Sequence, residues 1–489
     1  MKIIVILFFS VIVTLNITAQ NKTRLPEIIK EDLLSDVEVL TSKEYDGRLP
    51  GSDGYNKAAQ FAADRFAQLG LKPAGDKKYF QYFDIEYNKI ESPAIFKAII
   101  QKDTIEYKLG KDFVLRGFTG SNNFTLPVAF CGYGISKPEL GYDDYAKIDV
   151  KDKIVIVFKQ NPAWKIDDKD WGANYPREKS LTAKKFGAKG ILFVSLPNDK
   201  NPQPLIASVL HGDGEQPVDF PQLQISHQAA DDLLGIINLS IKECQTKIDQ
   251  KQKPSSYLLR TKAVVNVNAN YIKDAKTMNI IGLIEGSDPV LKNEFVIIGA
   301  HIDHVGSQAG LLFPGANDNA SGSAGVLEIA EAFVKNNIKP KRSVLFVLFA
   351  GEEQGLLGAK HFVENWKMPY EKITAMLNLD CIGYGDSIQI GNGKSSPVLW
   401  KIADELDYKN SNLMVERTWN GGGADTTPFH EKEIPCLYFV TTNSYKHLHL
   451  QTDTVETLNP DLYEKIVQLA FLTAKEIADG NYVREKIVE

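Results

Sequence analysis

Cysteine is scarce. Four residues, Cys131, Cys244, Cys381 and Cys436, are spread through 489 positions with no CxxC pair. That excludes a disulfide framework and a zinc ribbon. At most an isolated disulfide would form in an oxidising compartment, and no pair is singled out. An excess of one charge sign is also missing. The 56 Lys+Arg against 62 Asp+Glu give a net charge of -6, without the basic bias expected of a nucleic-acid binder. After the first residues there is no apolar run of membrane-spanning length. Hydrophobic residues at 43% and charged residues at 24% exclude disordered and collagen-like chains. The length fits about two or three domains at roughly 150 residues each.

The first segment reads as an address. Lys2 is followed by the apolar run IIVILFFSVIV and then by Asn16, Thr18 and Ala19. A basic start, a short apolar run and a small residue predict a signal peptide cleaved after Ala19. The expectation is an exported chain, periplasmic or extracellular, with no stable membrane insertion once mature.

Helical spacing of Ala58, Phe61, Ala62, Phe66 and Leu69 predicts an amphipathic helix over 54–70 ended by Gly70. Short apolar strands are expected at 128–130, 154–157 and 191–194, with a helix over 179–188. The polar stretch 249–256 with Pro254 reads as a boundary. From Ala263 strands and helices alternate. Strands are expected at 296–300, 343–350, 375–380 and 436–440, and helices at 321–335, 355–364, 397–406 and 461–478. This is an α/β pattern with a mostly buried sheet.

Chemistry gathers at the C-terminal ends of strands in such sheets. The 296–300 strand runs into His301, Ile302, Asp303 and His304. A glycine-bounded loop holds Asp318. The 343–350 strand runs into Glu352 and Glu353, the 375–380 strand ends in Asp380, and His447 and His449 lie near the C-terminus. Buried charges at strand ends are costly unless paired or metal-bound. Two histidines and three carboxylates without cysteine form a nitrogen/oxygen donor set suited to Zn²⁺, and less specifically to Mn²⁺ or Co²⁺. Five ligands fit two ions sharing a bridging carboxylate. Glu352 and Glu353 point opposite ways at a strand end, so one can bind metal while the other acts as general base. Asp303, two residues after His301, is placed to orient its imidazole.

These motifs carry a family likeness. HIDH at 301–304, NDNASG at 317–322, AGEEQGLLG at 350–358, NLDCIG at 378–383 and HLQTDT at 449–454 resemble, in order, the M28 metallopeptidases, dizinc aminopeptidases. DGRLPGS at 46–52 resembles the family's opening segment. GYGI at 132–135 and KDKIVIV at 151–157 resemble the protease-associated (PA) domain inserted in many members.

The resemblance implies an α/β sandwich of the zinc-dependent aminopeptidase type, with a mixed sheet and a smaller β-rich PA insert. The implied division is signal peptide 1–19, first peptidase part 20–120, PA insert 121–262 and main catalytic part 263–489. It implies His301 and Asp380 on one metal, Glu353 and His449 on the other, Asp318 as bridge and Glu352 as base, acting on peptides. His449 is preferred to His447 because it stands four residues before Asp453. His304 is expected to pack or hydrogen-bond rather than ligate. Two departures from the pattern concern substrate. Leu448 stands where members often carry Tyr, with Tyr445 near by. Ala424 and Thr426 stand where Ser and His are frequent.

Relatives on this core include carboxypeptidases, dipeptidases, glutaminyl cyclases and noncatalytic ectodomains; the intact ligand set and base favour the two-metal hydrolase. Neither a phosphate loop nor a nucleophile elbow is present: Ile388 replaces the first Gly of GxxxxGK[ST], and Ser321 the first Gly of GxSxG.

Overall fold

A computed structural model describes residues 28–172, 176–211 and 214–488. The expected signal peptide lies outside them. No helix among the described residues is long and apolar enough to cross a membrane.

The molecule is a mixed α/β structure built on one large sheet. Phe295–His301 lies in the middle of its parallel part, beside Ser343–Phe349 on one side and Ile373–Leu379 on the other. Cys436–Thr441 continues the parallel set, and Ile388–Gly391 closes the edge antiparallel. Alternation of side chains along these strands divides two cores. Val296, Ile298, Val344, Phe346 and Leu348 enter one, with residues of helices Asp53–Gln68, Ser321–Lys335 and Pro460–Ala478. Ile297, Leu345, Val347 and Phe349 enter the other, against Leu357–Glu364. Both faces are covered, which explains the near-continuous apolar strands.

The 29-residue strand Ser256–Ile284 joins the two parts. Its last residues, Ile280–Ile284, pair antiparallel with Ser343–Phe349. Its first half pairs with Asn122–Cys131, which leads into the parallel strands Ile154–Phe158, Gly190–Val194 and Gln222–Ile225. Its other long partner is Phe80–Ile100. The position 262/263, expected to divide insert from catalytic part, therefore falls inside one continuous strand. The 249–256 stretch holds the end of helix Ile241–Lys251 and the start of that strand. All four cysteines are buried and free.

The expected helices and strands sit within a few residues of their predicted places. The 54–70 helix spans Asp53–Gln68, where the Ser52 hydroxyl accepts from the Tyr55 N–H, a capping contact that fixes its start.

Candidate metal centre

His301 is the last residue of its strand, and its Nε2 faces Asp318 Oδ1 at 3.4 Å and Asp380 Oδ1 at 3.6 Å. His449 approaches from the C-terminal loop. Its Nε2 lies 3.2 Å from Asp318 Oδ2 and 2.9 Å from Glu353 Oε2. The two oxygens of Asp318 thus face two donor groups, His301 with Asp380 and His449 with Glu353. Within each group the donor atoms lie within 4.8 Å of one another. The structure brings together all five residues singled out as ligands. His447 stays outside, its Nδ1 paired with the Thr452 hydroxyl.

The NDNASG loop holds Asp318 in place by satisfying nearly every polar group around it. Asn317 Oδ1 accepts from the Gly383 and Tyr384 N–H groups. Asn319 donates to the Leu379 carbonyl and accepts from the Gly322 N–H. The Asp453 carboxylate accepts from the N–H groups of Asn317 at 2.8 Å and Asp318 at 3.0 Å. Gly322 lets the following helix approach the strand that delivers Asp380, since a Cβ there would lie 2.2 Å from the Leu379 carbonyl oxygen. Gly315 has φ +61, and a Cβ there would meet the His304 ring.

Glu352 is distinct from the ligands. Its side chain is 19% exposed against 6% for Glu353, and it belongs to neither donor group. Its Oε2 lies 4.0 Å from His301 Nε2. Asp303 receives the Glu352 N–H at 3.3 Å. The predicted Asp303–His301 contact has a different form. The His301 Nδ1 lies 3.1 Å from the Asp303 main-chain carbonyl and 3.6 Å from its carboxylate. The carbonyl is the closer acceptor, so the backbone orients the imidazole.

His304, expected to pack or hydrogen-bond rather than ligate, stands in the group of Asp318, Glu353 and His449. Its Nδ1 lies 3.0 Å from Glu353 Oε1, while its Nε2 is buried without a partner. A proton on Nδ1 satisfies this geometry: the N–H donates to Glu353, and the buried Nε2 is left with only a lone pair. Sequence reasoning missed two residues beside the site. Asp425 is fully buried, and neither carboxyl oxygen has a partner. Arg48 is also fully buried; its guanidinium donates to the carbonyls of Leu40, Ile302, Pro314 and Gly315. The only sequence signal for Arg48 was its place in DGRLPGS; a lone charged residue otherwise reads as surface.

The electrostatics describe buried acids and histidines that shift one another strongly. Burial disfavours charge on Glu352, and with Glu353 and Asp380 near by its pKa stands well above the usual value. Burial acts the same way on Asp425. For His301 and His449 burial opposes the charge, but surrounding carboxylates outweigh it and raise both pKa values well above the usual one. Burial would also raise Glu353, yet His449 and the His304 hydrogen bond hold it down at about 2. Buried acids in such excess are stable only with cations among them. Two histidine nitrogens and three carboxylates, arranged around Asp318, fit two divalent ions of zinc type.

The model of peptidase family M28 matches residues 279–474, and that of the PA domain matches 124–233. A probable leucine aminopeptidase of Arthroderma benhamiae is 28% identical over 199 residues, 39% of this chain and 56% of that protein. The chain thus spans little more than half the length of that curated relative. Aminopeptidase YwaD of Bacillus subtilis is 24% identical over 373 residues, 72% of this chain and 68% of that one. Two solved structures share the fold. A zinc aminopeptidase from Bacillus subtilis superposes with TM-score 0.67 at 19% identity, covering 95% of this chain and 99% of that one. A peptidase M28 precursor from Shewanella amazonensis gives TM-score 0.68 at 18% identity, covering 94% and 95%. The segment that supplies every donor of the cluster, 279–474, is the one that matches the model of peptidase family M28, and 124–233 matches that of the PA domain.

Proposed function

We propose that this protein is an exported aminopeptidase that uses two zinc ions, held by His301, Asp380, Asp318, Glu353 and His449, to remove N-terminal residues from peptides. The observation that carries the reading is the pair of Asp318 oxygens facing separate donor groups, with the more open Glu352 beside them. The aminopeptidase relatives support the substrate class. The signal-like first residues support export.

When bound, the ions would polarise the scissile carbonyl and make water a nucleophile near neutral pH. The chain supplies the rest. Glu352 Oε accepts the proton of the attacking water and returns it to the leaving amine. Burial first, and then Glu353 and Asp380, hold its pKa well above the usual value; cations would offset this and leave it able to act as a base. Asp303 fixes the backbone of Glu352. His304 orients Glu353. Tyr445 takes the part of the missing Tyr at Leu448 and polarises the carbonyl. Its hydroxyl lies 3.3 Å from that of Tyr438, which donates to Asp380 Oδ2 at 3.3 Å.

The PA segment limits access. The Ala207 N–H donates to the His449 carbonyl at 3.0 Å, so chain from the insert lies over a ligand loop. A wall of this kind suits removal of terminal residues rather than internal cleavage.

The test is mass spectrometry of products from paired peptides with free and acetylated N-termini, including one that begins with Gln. The expected result is loss of one N-terminal residue from the free peptide alone. Shortening at the C-terminus, or ammonia loss from the Gln peptide without cleavage, would assign the core to another reaction.

A further inference from the structure

Beside Asp380 the surface opens into a cavity of about 540 Å³, lined among others by Gln389, Arg417, Trp419, Tyr445 and Lys446. That volume is in the range of a small-molecule site. The cavity is one side chain away from the donor cluster. Trp419 packs edge-on against Tyr438, ring centroids 5.8 Å apart, and the Tyr438 hydroxyl reaches Asp380. Tyr445 lies in the same wall and touches Tyr438.

The charges of the lining have one sign. Arg417 and Lys446 are its ionised residues, and no Asp or Glu lines it. Arg417 is held by a reciprocal pair: its guanidinium donates to Gln389 Oε1 at 3.1 Å, and the Gln389 amide donates to the Arg417 carbonyl at 3.0 Å. No ion pair of Arg417 or Lys446 exists among the described residues, and Lys446 sits 6.0 Å from the Tyr384 ring centroid. Asp386, which contacts the lining residue Asn443, is already engaged by that amide. A planar guanidinium positioned by a neighbour and left without an anion is suited to a carboxylate. The aromatic walls suit the apolar part of a side chain.

We propose that this cavity is a substrate subsite and that Arg417 and Lys446 select peptides presenting a carboxylate beside the scissile bond. The inference rests on the peptidase reading above. The carboxylate belongs either to an acidic side chain or to the C-terminus of a very short peptide.

The experiment compares kcat/KM of the zinc-loaded full chain on peptides with Glu or isosteric Gln at the first and second positions, each with a free or amidated C-terminus. A charge-assisted hydrogen bond predicts about a tenfold preference for the carboxylate, expressed in KM. The preference should shrink in Arg417→Gln and in Lys446→Gln, and should fall with salt. Preference for Glu over Gln identifies the side chain; preference for free over amidated ends identifies the terminus. Either supports the inference. Equal kcat/KM within twofold across the set, with N-terminal cleavage intact, overturns the inference and leaves the aminopeptidase reading standing. If no peptide is cleaved, calorimetry with the same Glu and Gln peptides decides: tighter binding of Glu supports the subsite although the reading fails, and equal binding overturns both. Both substituted positions are exposed, so melting curves like wild type are expected.

Discussion

Replacing Arg48 by Met removes a buried cation while keeping its length. The guanidinium ties three segments together: helix Lys30–Thr41 through the Leu40 carbonyl, the residue after His301 through Ile302, and the start of the Asp318 loop through Pro314 and Gly315. The bonds to Leu40, Ile302 and Gly315 are buried, and each orphaned carbonyl costs about 1–3 kcal/mol. Against that stands the cost of burying the charge. Burial lowers the Arg48 pKa from 12.5 to about 10, a penalty of roughly 3 kcal/mol that Met escapes. With three acceptors lost, the net expectation is a destabilisation of about 3 kcal/mol. Urea denaturation of the metal-free protein measures it. Zinc affinity should fall too, because the lost bonds frame His301 and Asp318. A stability change below about 1 kcal/mol, with zinc affinity unchanged, would refute the view that Arg48 holds the metal loops.

Glu352→Gln should retain both zinc ions and lose about a thousandfold in kcat, the range of a removed general base; wild-type turnover in a metal-replete variant would sink the assignment of Glu352. His304→Phe should weaken zinc binding by about 10–100-fold, as expected for a residue that orients a ligand, and competition with a chelator would detect it; complete loss of one ion would instead make His304 a ligand. Zinc binding at pH 7 should release protons, because His301 and His449 hold theirs in the metal-free cluster. The sign follows from their raised pKa values. In the metal-free chain their contribution to stability is present below 6.5 and is lost as pH rises through the folded values. With zinc the order reverses, and affinity weakens as pH falls. Calorimetry in two buffers of different ionisation enthalpy gives the proton count, and a count of zero would contradict the electrostatics of the cluster.

The catalytic half was legible because its signals are local. Strands such as Phe295–His301 are apolar throughout and end in a polar ligand, and a buried strand allows few other readings. The ligands occupy strand ends or a glycine-bounded loop, which marks the region as polar, and the family likeness supplied which five of its residues bind. Helix Lys30–Thr41 was not anticipated, although Leu33, Val37 and Leu40 recur at helical spacing; its weak amphipathic signal is diluted by acidic residues along the same stretch. The long strand Ser256–Ile284 was not read as one element either. Its buried and exposed residues alternate along much of its length, but no local pattern says which sheet a strand will enter, and this one enters two.

The features left unread share a physical cause: each depends on contacts distant in sequence. Arg48 is buried by segments up to 267 residues away. The role of His304 is decided by Glu353, 49 residues on. Composition cannot distinguish either from a surface charge or a packed ring. The cavity beside Asp380 is the clearest case. Gln389, Arg417 and Lys446 belong to three separate stretches that meet where Ile388–Gly391 pairs with Cys436–Thr441 and Arg417 joins Gln389. The family motifs end at the ligands, and the departures at Leu448, Ala424 and Thr426 fall on the substrate side. The ligand motifs therefore make the proposed hydrolytic chemistry readable from sequence, while the proposed choice of substrate rests on residues that only the folded sheet edge assembles. A preference for carboxylate-bearing peptides that disappears with Arg417 and Lys446 would be the measurable form of that division.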